Sequence, residues 1–413
     1  MDYFNYKNNT LYTEDVSIEQ ICNEIETPFY CYSKETIIRH YNVFADSFAG
    51  FPNKKICYAV KANCNPSVLK ILAELGSGAD VVSMGEIKLA LEAGIKPKNM
   101  VFSGVGKTYK EIEFAIKSGI FQFNIESEDE VFDIDEIAGK LGKTANIAIR
   151  VNPNVQADTH AKITTGTYEN KFGINYDEVK DLCVKIDELE NINLQGLSIH
   201  IGSQITKLDA FEKAFAKIVV LYKELQGEYN LTTLDFGGGL GIPYYDEDNT
   251  LCPTTYIPSE YAEIVKSALG DLDCMLILEP GRVIVGNAGI LISKVIRIKK
   301  TAHKNFVILD AGMNDLARPS MYEAYHDIIA VTPKINEDGS STQTVADIVG
   351  PVCETTDTFA RERTIPNVEK GDLIAFRTTG AYGSSMSNTY NSRPLISEIL
   401  VDKDNWEIIR SDS

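Results

Sequence analysis

Eight short apolar runs, each leading into a segment of helical periodicity, constrain this chain more than any other feature of it. The runs are KKICYAV (54–60), ADVVS (79–83), NMVFS (99–103), FQFNI (121–125), NIAIRV (146–151), GLSIHI (196–201), TTLDF (232–236) and MLILE (275–279). Between them lie amphipathic segments such as PSVLKILAEL, YKEIEFAIKSG and LDAFEKAFAKIVVLYKELQ, several of which stop at glycine, as helix C-termini do. Alternating βα units specify a parallel sheet, and eight of them close a (β/α)8 barrel of the TIM type. After Arg282 the texture changes to strands and turn signals, as in ILISKVIRIKK, NFVILD, HDIIAV, GDLIAF and LISEILVD. A second, mostly antiparallel β domain is therefore expected. The stretch TPFYCYS, ahead of the helix ETIIRHYNVFADSF, is expected to add an N-terminal strand to it. The expected division is a barrel over 34–285 and a β domain assembled from 1–33 and 286–413.

Composition narrows the function classes. A chain of 413 residues that is 44% hydrophobic can bury a large core. Its formal net charge of −19 argues against nucleic-acid or anionic-membrane partners, which need clustered lysine and arginine. MDYFNYKNNT is not a secretion leader, and no later run approaches the roughly eighteen uninterrupted apolar residues of a membrane span, so a cytoplasmic enzyme is expected. Eight scattered cysteines without a Cys-x-x-Cys pair read as free, buried thiols in a reducing compartment. Five histidines without a zinc-ligand spacing predict no protein-held metal.

The reacting groups of such a barrel come from the C-terminal ends of its strands, so the residues following each run carry the functional reading. The first run ends at Lys61 in YAVKAN. Taken alone, this is a solvated strand-end lysine; desolvated at a barrel mouth, its amine loses basicity and can condense with an aldehyde. The seventh run enters Gly237, Gly238, Gly239 and Gly241, a turn whose backbone N–H groups can approach an anion, or equally a tight corner. It is not a dinucleotide fingerprint, because Ile242 stands where the last glycine belongs, and GVGKT (104–108) has Val101 where a phosphate-binding P-loop has its first glycine. The eighth run ends in Glu279-Pro280-Gly281-Arg282. Its carboxylate is a structural ion-pair partner of Arg282 or, beside a phosphate and a lysine, the group that keeps the pyridine nitrogen of pyridoxal phosphate protonated. The sixth ends in HIGSQ (200–204), where His200 is either a core residue or a ring stacked on such a cofactor, and Ser203 offers a hydroxyl to its phosphate. One ligand, pyridoxal phosphate, satisfies all four strand ends.

With the motifs YAVKAN, KFGI (171–174), HIGSQ, GGGLG (237–241), EPGR, DAGMNDLARPSMY (310–322), GPVCETTD (350–357) and GAYGSSM (380–386) in this order, the chain resembles the fold-type III pyridoxal-phosphate decarboxylases over essentially its whole length. Within them it is most similar to the diaminopimelate decarboxylases. The resemblance implies that Lys61 holds the cofactor covalently, His200 stacks on its ring and Glu279 pairs with its pyridine nitrogen. It implies that Ser203, Gly238, Gly239, Gly281 and Arg282 form the cofactor's seat, with Tyr382 near it. Arg282, Arg318, Tyr322 and Tyr382 are implied on the substrate, the first three on its carboxylate, and Cys353 and Glu354 are implied to reach the neighbouring subunit's site in a homodimer with two shared active sites. The implied reaction is decarboxylation of meso-diaminopimelate to L-lysine, the last step of lysine biosynthesis, with Cys353 as proton donor. Without the resemblance, Arg318 reads as a turn residue before Pro319 and Cys353 as a small core residue. The segment 158–174 matches the family's substrate-covering loop in length and ends, but HAKI lacks its aromatic residue. Ornithine- and arginine-type decarboxylases of the same fold carry Cys-Asp in place of Cys353-Glu354 and lack the Arg-Pro of ARPSMY; a carboxynorspermidine-type enzyme is a further alternative.

Overall fold

The computed structural model describes residues 2–155, 171–244, 257–335 and 342–412. Contacts divide the chain into two compact units, one within 41–242 and 254–282, the other within 1–40, 243–253 and 283–413. The division falls inside the helix Lys34–Ser47 and groups Pro243 and Tyr244 with the second unit.

The first unit is a closed parallel barrel. Its strands are β1 (Lys54–Ala59), β2 (Gly78–Val81), β3 (Met100–Phe102), β4 (Gln122–Ile125), β5 (Ala145–Asn152), β6 (Ile192–Ser198), β7 (Thr233–Asp235) and β8 (Met275–Leu278). Each pairs in parallel with its successor, β8 pairs with β1, and so the ring closes. All eight apolar runs became these strands. They read as runs because a strand buried on both faces has no polar side to alternate with. A short strand, Ile174–Asn175, adds to β5.

Helices follow the strands where periodicity places them. Pro66–Glu74 is typical: the Asn65 side chain accepts the Ser67 N–H at its start, Pro66 occupies the first turn, and Val68, Leu69, Ile71 and Leu72 form its buried face. Tyr109–Ser118 begins with the Glu111 carboxylate accepting the Thr108 N–H at 3.0 Å and ends at Gly119, whose φ of 74° suits a residue without a Cβ. An aromatic cluster of Phe48, Phe211, Phe215, Phe236 and Tyr261 fills the space between the long helix Asp209–Gln226, the helix Pro258–Leu269 and the end of β7.

In the second unit the sheet runs Thr358–Pro366, Gln343–Val349, Asn305–Leu309, Gly289–Lys300, Phe29–Ser33, Ser397–Asp402, Asn405–Arg410, with Leu373–Phe376 and Ile328–Ala330 branching from Gly289–Lys300. The N-terminal strand Phe29–Ser33 lies between two C-terminal ones, antiparallel to Gly289–Lys300 and parallel to Ser397–Asp402. The expected added strand is thus an interior one, and its FYCYS sequence is buried along its whole length. Phe29, Cys31, Ile290, Ile292, Ile399 and Val401 form the core beneath it.

No helix among the described residues is long and apolar enough to cross a membrane. Of the seven described cysteines, only Cys31, Cys57 and Cys183 are buried. The expectation of buried thiols is thus corrected for Cys22, Cys64 and Cys274, which are half-buried, and for Cys353, which is exposed on a loop.

Candidate active site

Lys61 occupies a single helical turn, Val60–Ala62, directly after β1. The β1–β2 register sets Ala59 beside Asp80, which brings the next turn's amine within reach of that carboxylate. Lys61 Nζ lies 2.6 Å from Asp80 Oδ2, with the Asp80 side chain wholly buried and that of Lys61 36% exposed. The solvated-lysine reading therefore does not hold: an ammonium on a buried carboxylate is oriented, not free in water. The other oxygen, Asp80 Oδ1, is buried with no hydrogen-bond partner among the described residues.

Gly281 lets β8 approach this turn. A Cβ there would stand 3.0 Å from the Ala59 Cβ and 3.2 Å from that of Ala62, and the Ala59 N–H donates to the Pro280 carbonyl at 3.0 Å. Glu279, just ahead of it, is 6% exposed and hydrogen-bonded to the fully buried Asp235 at the end of β7. Asn124 of β4 donates to both, at 3.0 Å to Asp235 Oδ2 and 3.1 Å to Glu279 Oε1. Burial pushes the Glu279 carboxyl well above the ordinary carboxylate range, the charges of Asp235 and Asp80 push it further, and Lys61 opposes them. Burial also raises Asp235, while its bonds to Glu279, the Gly237 N–H and Asn124 pull the other way. Two buried carboxyls, both raised above the ordinary range and crowded in a dry site, suit a positive counter-charge.

The loops after β6 and β7 are clipped together: Ile205 N–H donates to the Gly239 carbonyl and Gly241 N–H to the Ile205 carbonyl, each at 2.9 Å. Gly239 has φ 103°, and a Cβ on it would fall 2.2 Å from the Gly202 oxygen; one on Gly238 would fall 2.1 Å from the Glu279 oxygen. The tight-corner reading of these glycines is thus correct as far as it goes, and the corner is what sets their backbone beside the site. Gly238 N–H donates to His200 Nδ1 at 3.3 Å, which requires an unprotonated Nδ1. Burial, with the charges of Arg150 and Lys61, holds the His200 imidazole well below its ordinary pKa, in agreement with that neutral form. Arg282 Nη2 donates to Ser203 Oγ at 3.0 Å, so the proposed ion pair of Glu279 with Arg282 is replaced by an arginine–serine contact.

These groups converge. Lys61, Glu279, His200, Asn124, Arg150 and Phe172 line one cavity of 210 Å³. Arg150 is fixed there by Glu126 at 2.6 Å and by the Phe172 ring, 4.9 Å from its guanidinium carbon. An amine, a buried carboxyl and a neutral imidazole match the aldehyde, pyridine nitrogen and ring face of pyridoxal phosphate, while Ser203 and the glycines of 237–241 do not line the cavity, although Gly238 adjoins its His200 and Glu279. Reasoning from strand ends missed Asp80, Asn124, Arg150 and Asp235. A signal existed: each is a polar residue inside an apolar run, and a buried strand admits one only when it has a partner.

In the second unit, Arg318 begins the short helix Arg318–Tyr322 and is 7% exposed, contrary to its reading as an exposed turn residue. Tyr322, at the end of that helix, is half-buried. Tyr382 is half-buried and has φ 56°, a left-handed conformation that a residue with a Cβ adopts only where surrounding structure imposes it. Cys353 and Glu354 are exposed rather than in the core. Their loop is nevertheless braced: the Asp357 carboxylate accepts the Val352 N–H at 2.6 Å and the Met313 N–H at 2.7 Å, and Asn391 Oδ1 accepts the Cys353 N–H at 3.1 Å. Tyr390 donates its hydroxyl to Glu354 at 2.5 Å. The KFGI end of the segment 158–174 contributes Phe172; residues 158–170 lie outside the described residues.

The sequence pattern of the pyridoxal-dependent decarboxylase pyridoxal binding domain matches residues 34–286. The chain belongs to the pyridoxal-dependent decarboxylase family. Diaminopimelate decarboxylase of Aquifex aeolicus is 45% identical to it over 409 residues, 99% of this chain and 94% of the relative. Diaminopimelate decarboxylase of Vibrio cholerae is 45% identical over 413 residues, 99% of this chain and 96% of the relative. The crystal structure of diaminopimelate decarboxylase from Helicobacter pylori, complexed with L-lysine, superposes with a TM-score of 0.89 at 42% identity, covering 95% of this chain and 96% of that one. The fold of this pyridoxal-dependent decarboxylase is therefore that of solved enzymes.

Proposed function

We propose that this chain binds pyridoxal phosphate and removes carbon dioxide from meso-diaminopimelate to give L-lysine, completing lysine biosynthesis. The observation that carries the reading is the barrel-mouth cavity that combines the Lys61 amine with the buried, counter-charge-deficient Glu279. Near-full-length similarity to enzymes of that name supports the choice of substrate.

When bound, the cofactor supplies a pyridinium ring that accepts the electron pair left as the carbon–carboxylate bond breaks. The residues do the rest. Lys61 would hold the cofactor's carbonyl carbon through its amine, which Asp80 orients. Glu279 would face the ring nitrogen as its carboxylate partner, with Asn124 and Asp235 fixing it. His200, neutral, would pack on the ring without adding charge, and Tyr382 would lie beside the cofactor. Gly238, Gly239, Gly281 and Ser203 would hold the phosphate, and Arg282 fixes the serine. Arg282, Arg318 and Tyr322 bind the distal carboxylate of the substrate, for which a guanidinium fork is the natural partner. Glu354 binds the distal ammonium and Cys353 returns a proton to the reacting carbon.

The exposed, braced loop bearing Cys353 and Glu354 supports a homodimer in which each loop completes the partner's site. Buried thiols such as Cys31, Cys57 and Cys183, which form no disulfide, support a cytoplasmic setting. The deciding experiment measures carbon dioxide release by the purified protein with pyridoxal phosphate, offering meso-diaminopimelate, L-lysine, L-ornithine or L-arginine at equal concentration. Release from meso-diaminopimelate alone is expected; preference for ornithine or arginine overturns the substrate and leaves the cofactor site standing.

A further inference from the structure

His326 belongs to none of the roles above, yet it is 3% exposed and its two ring nitrogens are both engaged. Nε2 lies 2.8 Å from Arg318 Nη1, and Nδ1 lies 2.9 Å from the Arg377 carbonyl oxygen. A guanidinium nitrogen only donates and a carbonyl only accepts, so the two contacts fix the same tautomer: Nδ1 carries the proton and Nε2 offers its lone pair to Arg318. The position of the ring is set by the sheet. His326 precedes the strand Ile328–Ala330, whose pairing of Ile328 with Phe376 brings the Arg377 carbonyl alongside, and Arg363 Nη1 donates to the His326 carbonyl at 3.1 Å. Tyr244 completes the arrangement, with its ring centre 4.9 Å from the Arg318 guanidinium carbon and its plane at 90° to the imidazole, 5.6 Å away.

A guanidinium carrying an acceptor on one edge and an aromatic ring over its face has its plane defined before any ligand arrives. Resting on the reading of Arg318 as a carboxylate clamp, we infer that His326 is a positioning residue for substrate selectivity: its Nε2 lone pair sets the Arg318 fork so that ligands bearing a distal carboxylate are preferred over the same diamine without one. Apolar packing in place of His326 keeps the fold but releases the fork. Glutamine, whose amide presents an acceptor and a donor at a similar spacing, retains it.

The test uses the holoenzyme turning over meso-diaminopimelate and reads the inhibition constants of L-lysine and of 1,5-diaminopentane, which is L-lysine without its carboxylate. The wild type is expected to prefer L-lysine. His326→Leu is expected to weaken L-lysine by roughly ten-fold while leaving 1,5-diaminopentane within about two-fold, as loss of a single charge-assisted contact predicts. His326→Gln is expected to restore most of the preference. Equal constants for the two inhibitors in the wild type overturn the proposal together with the carboxylate reading of Arg318. A wild-type preference that survives in His326→Leu overturns the proposal alone. So does parallel weakening of both inhibitors in His326→Leu and His326→Gln, which is what a purely structural histidine produces.

Discussion

The carboxyls at the barrel mouth and the thiol and carboxylate of the 353–354 loop are deficient in opposite ways. Asp80, Asp235 and Glu279 are buried and crowd one another around a single ammonium, that of Lys61, which lies on Asp80; Cys353 and Glu354 are exposed on a loop braced through the Val352 and Cys353 N–H groups. In the first region the deficit is electrostatic and a small cationic ring removes it. In the second it is one of coverage, which the proposed second copy of the chain would remove. Crowded buried carboxyls carry the cofactor reading, whereas a braced but exposed loop carries the proposal of a partner.

That contrast breaks most readily at Lys61. Lys61→Ala is expected to lower kcat by at least about three orders of magnitude and to abolish the visible absorbance of the bound cofactor, because no other amine lines the cavity among the described residues. Retained absorbance and turnover in this variant remove the cofactor reading.

Glu279→Gln comes next, with kcat expected to fall about a hundred- to a thousand-fold, since the amide keeps the bond to Asn124 but offers no charge to the ring nitrogen. The cofactor-free protein responds the other way. A carboxyl whose folded pKa lies above its unfolded value of about 4.3 holds its proton longer in the folded state, so its contribution to stability falls as pH rises through that interval. The melting temperature of cofactor-free Glu279→Gln should therefore exceed that of the wild type at pH 8, with the gap closing as pH falls towards the unfolded value. A gap that is constant with pH dissolves the contrast between the two regions.

Cys353→Ala should lower kcat by about ten- to a hundred-fold with little change in KM, as loss of a proton donor does; full turnover removes the thiol from the chemistry. The same variant sharpens the comparison when mixed with Lys61→Ala. In a dimer with shared sites, random exchange of subunits gives heterodimers with one intact site, and about a quarter of wild-type activity should return. No recovery assigns both groups to a single chain. Tyr390→Phe is the mildest test: deleting the hydroxyl bonded to Glu354 should raise KM for meso-diaminopimelate by about two- to three-fold, the effect expected of one exposed hydrogen bond.

Legibility in the sequence followed burial. The barrel strands and Phe29–Ser33 are apolar on both faces and stand out as runs. The strands Phe4–Lys7 and Thr10–Thr13 were not anticipated, because FNYK and TLYT place mainly polar or exposed residues outward and carry no such run. Likewise Gln343–Val349 and Thr358–Pro366 mix buried and exposed positions with register shifts that blur alternation. Of the expected site residues, Lys61, His200 and Glu279 line the cavity and could be found because each closely follows a strand, and in a barrel that position alone points to the mouth.

Asp80, Asn124 and Asp235 could not be assembled that way, although each is visible as a polar letter inside an apolar run. They lie on β2, β4 and β7, and only closure of the ring turns three separate anomalies into one network around Glu279. His326 is further from reach, since its partner Arg318 and the Arg377 carbonyl meet it only through the pairing of two short strands. What the sequence by itself determined was the architecture and the class of chemistry, because strand periodicity and strand-end residues are local. The tertiary structure alone decided which carboxyls crowd one another, which carboxylate orients Lys61 and which histidine tautomer faces Arg318, because those depend on distances between residues far apart along the chain.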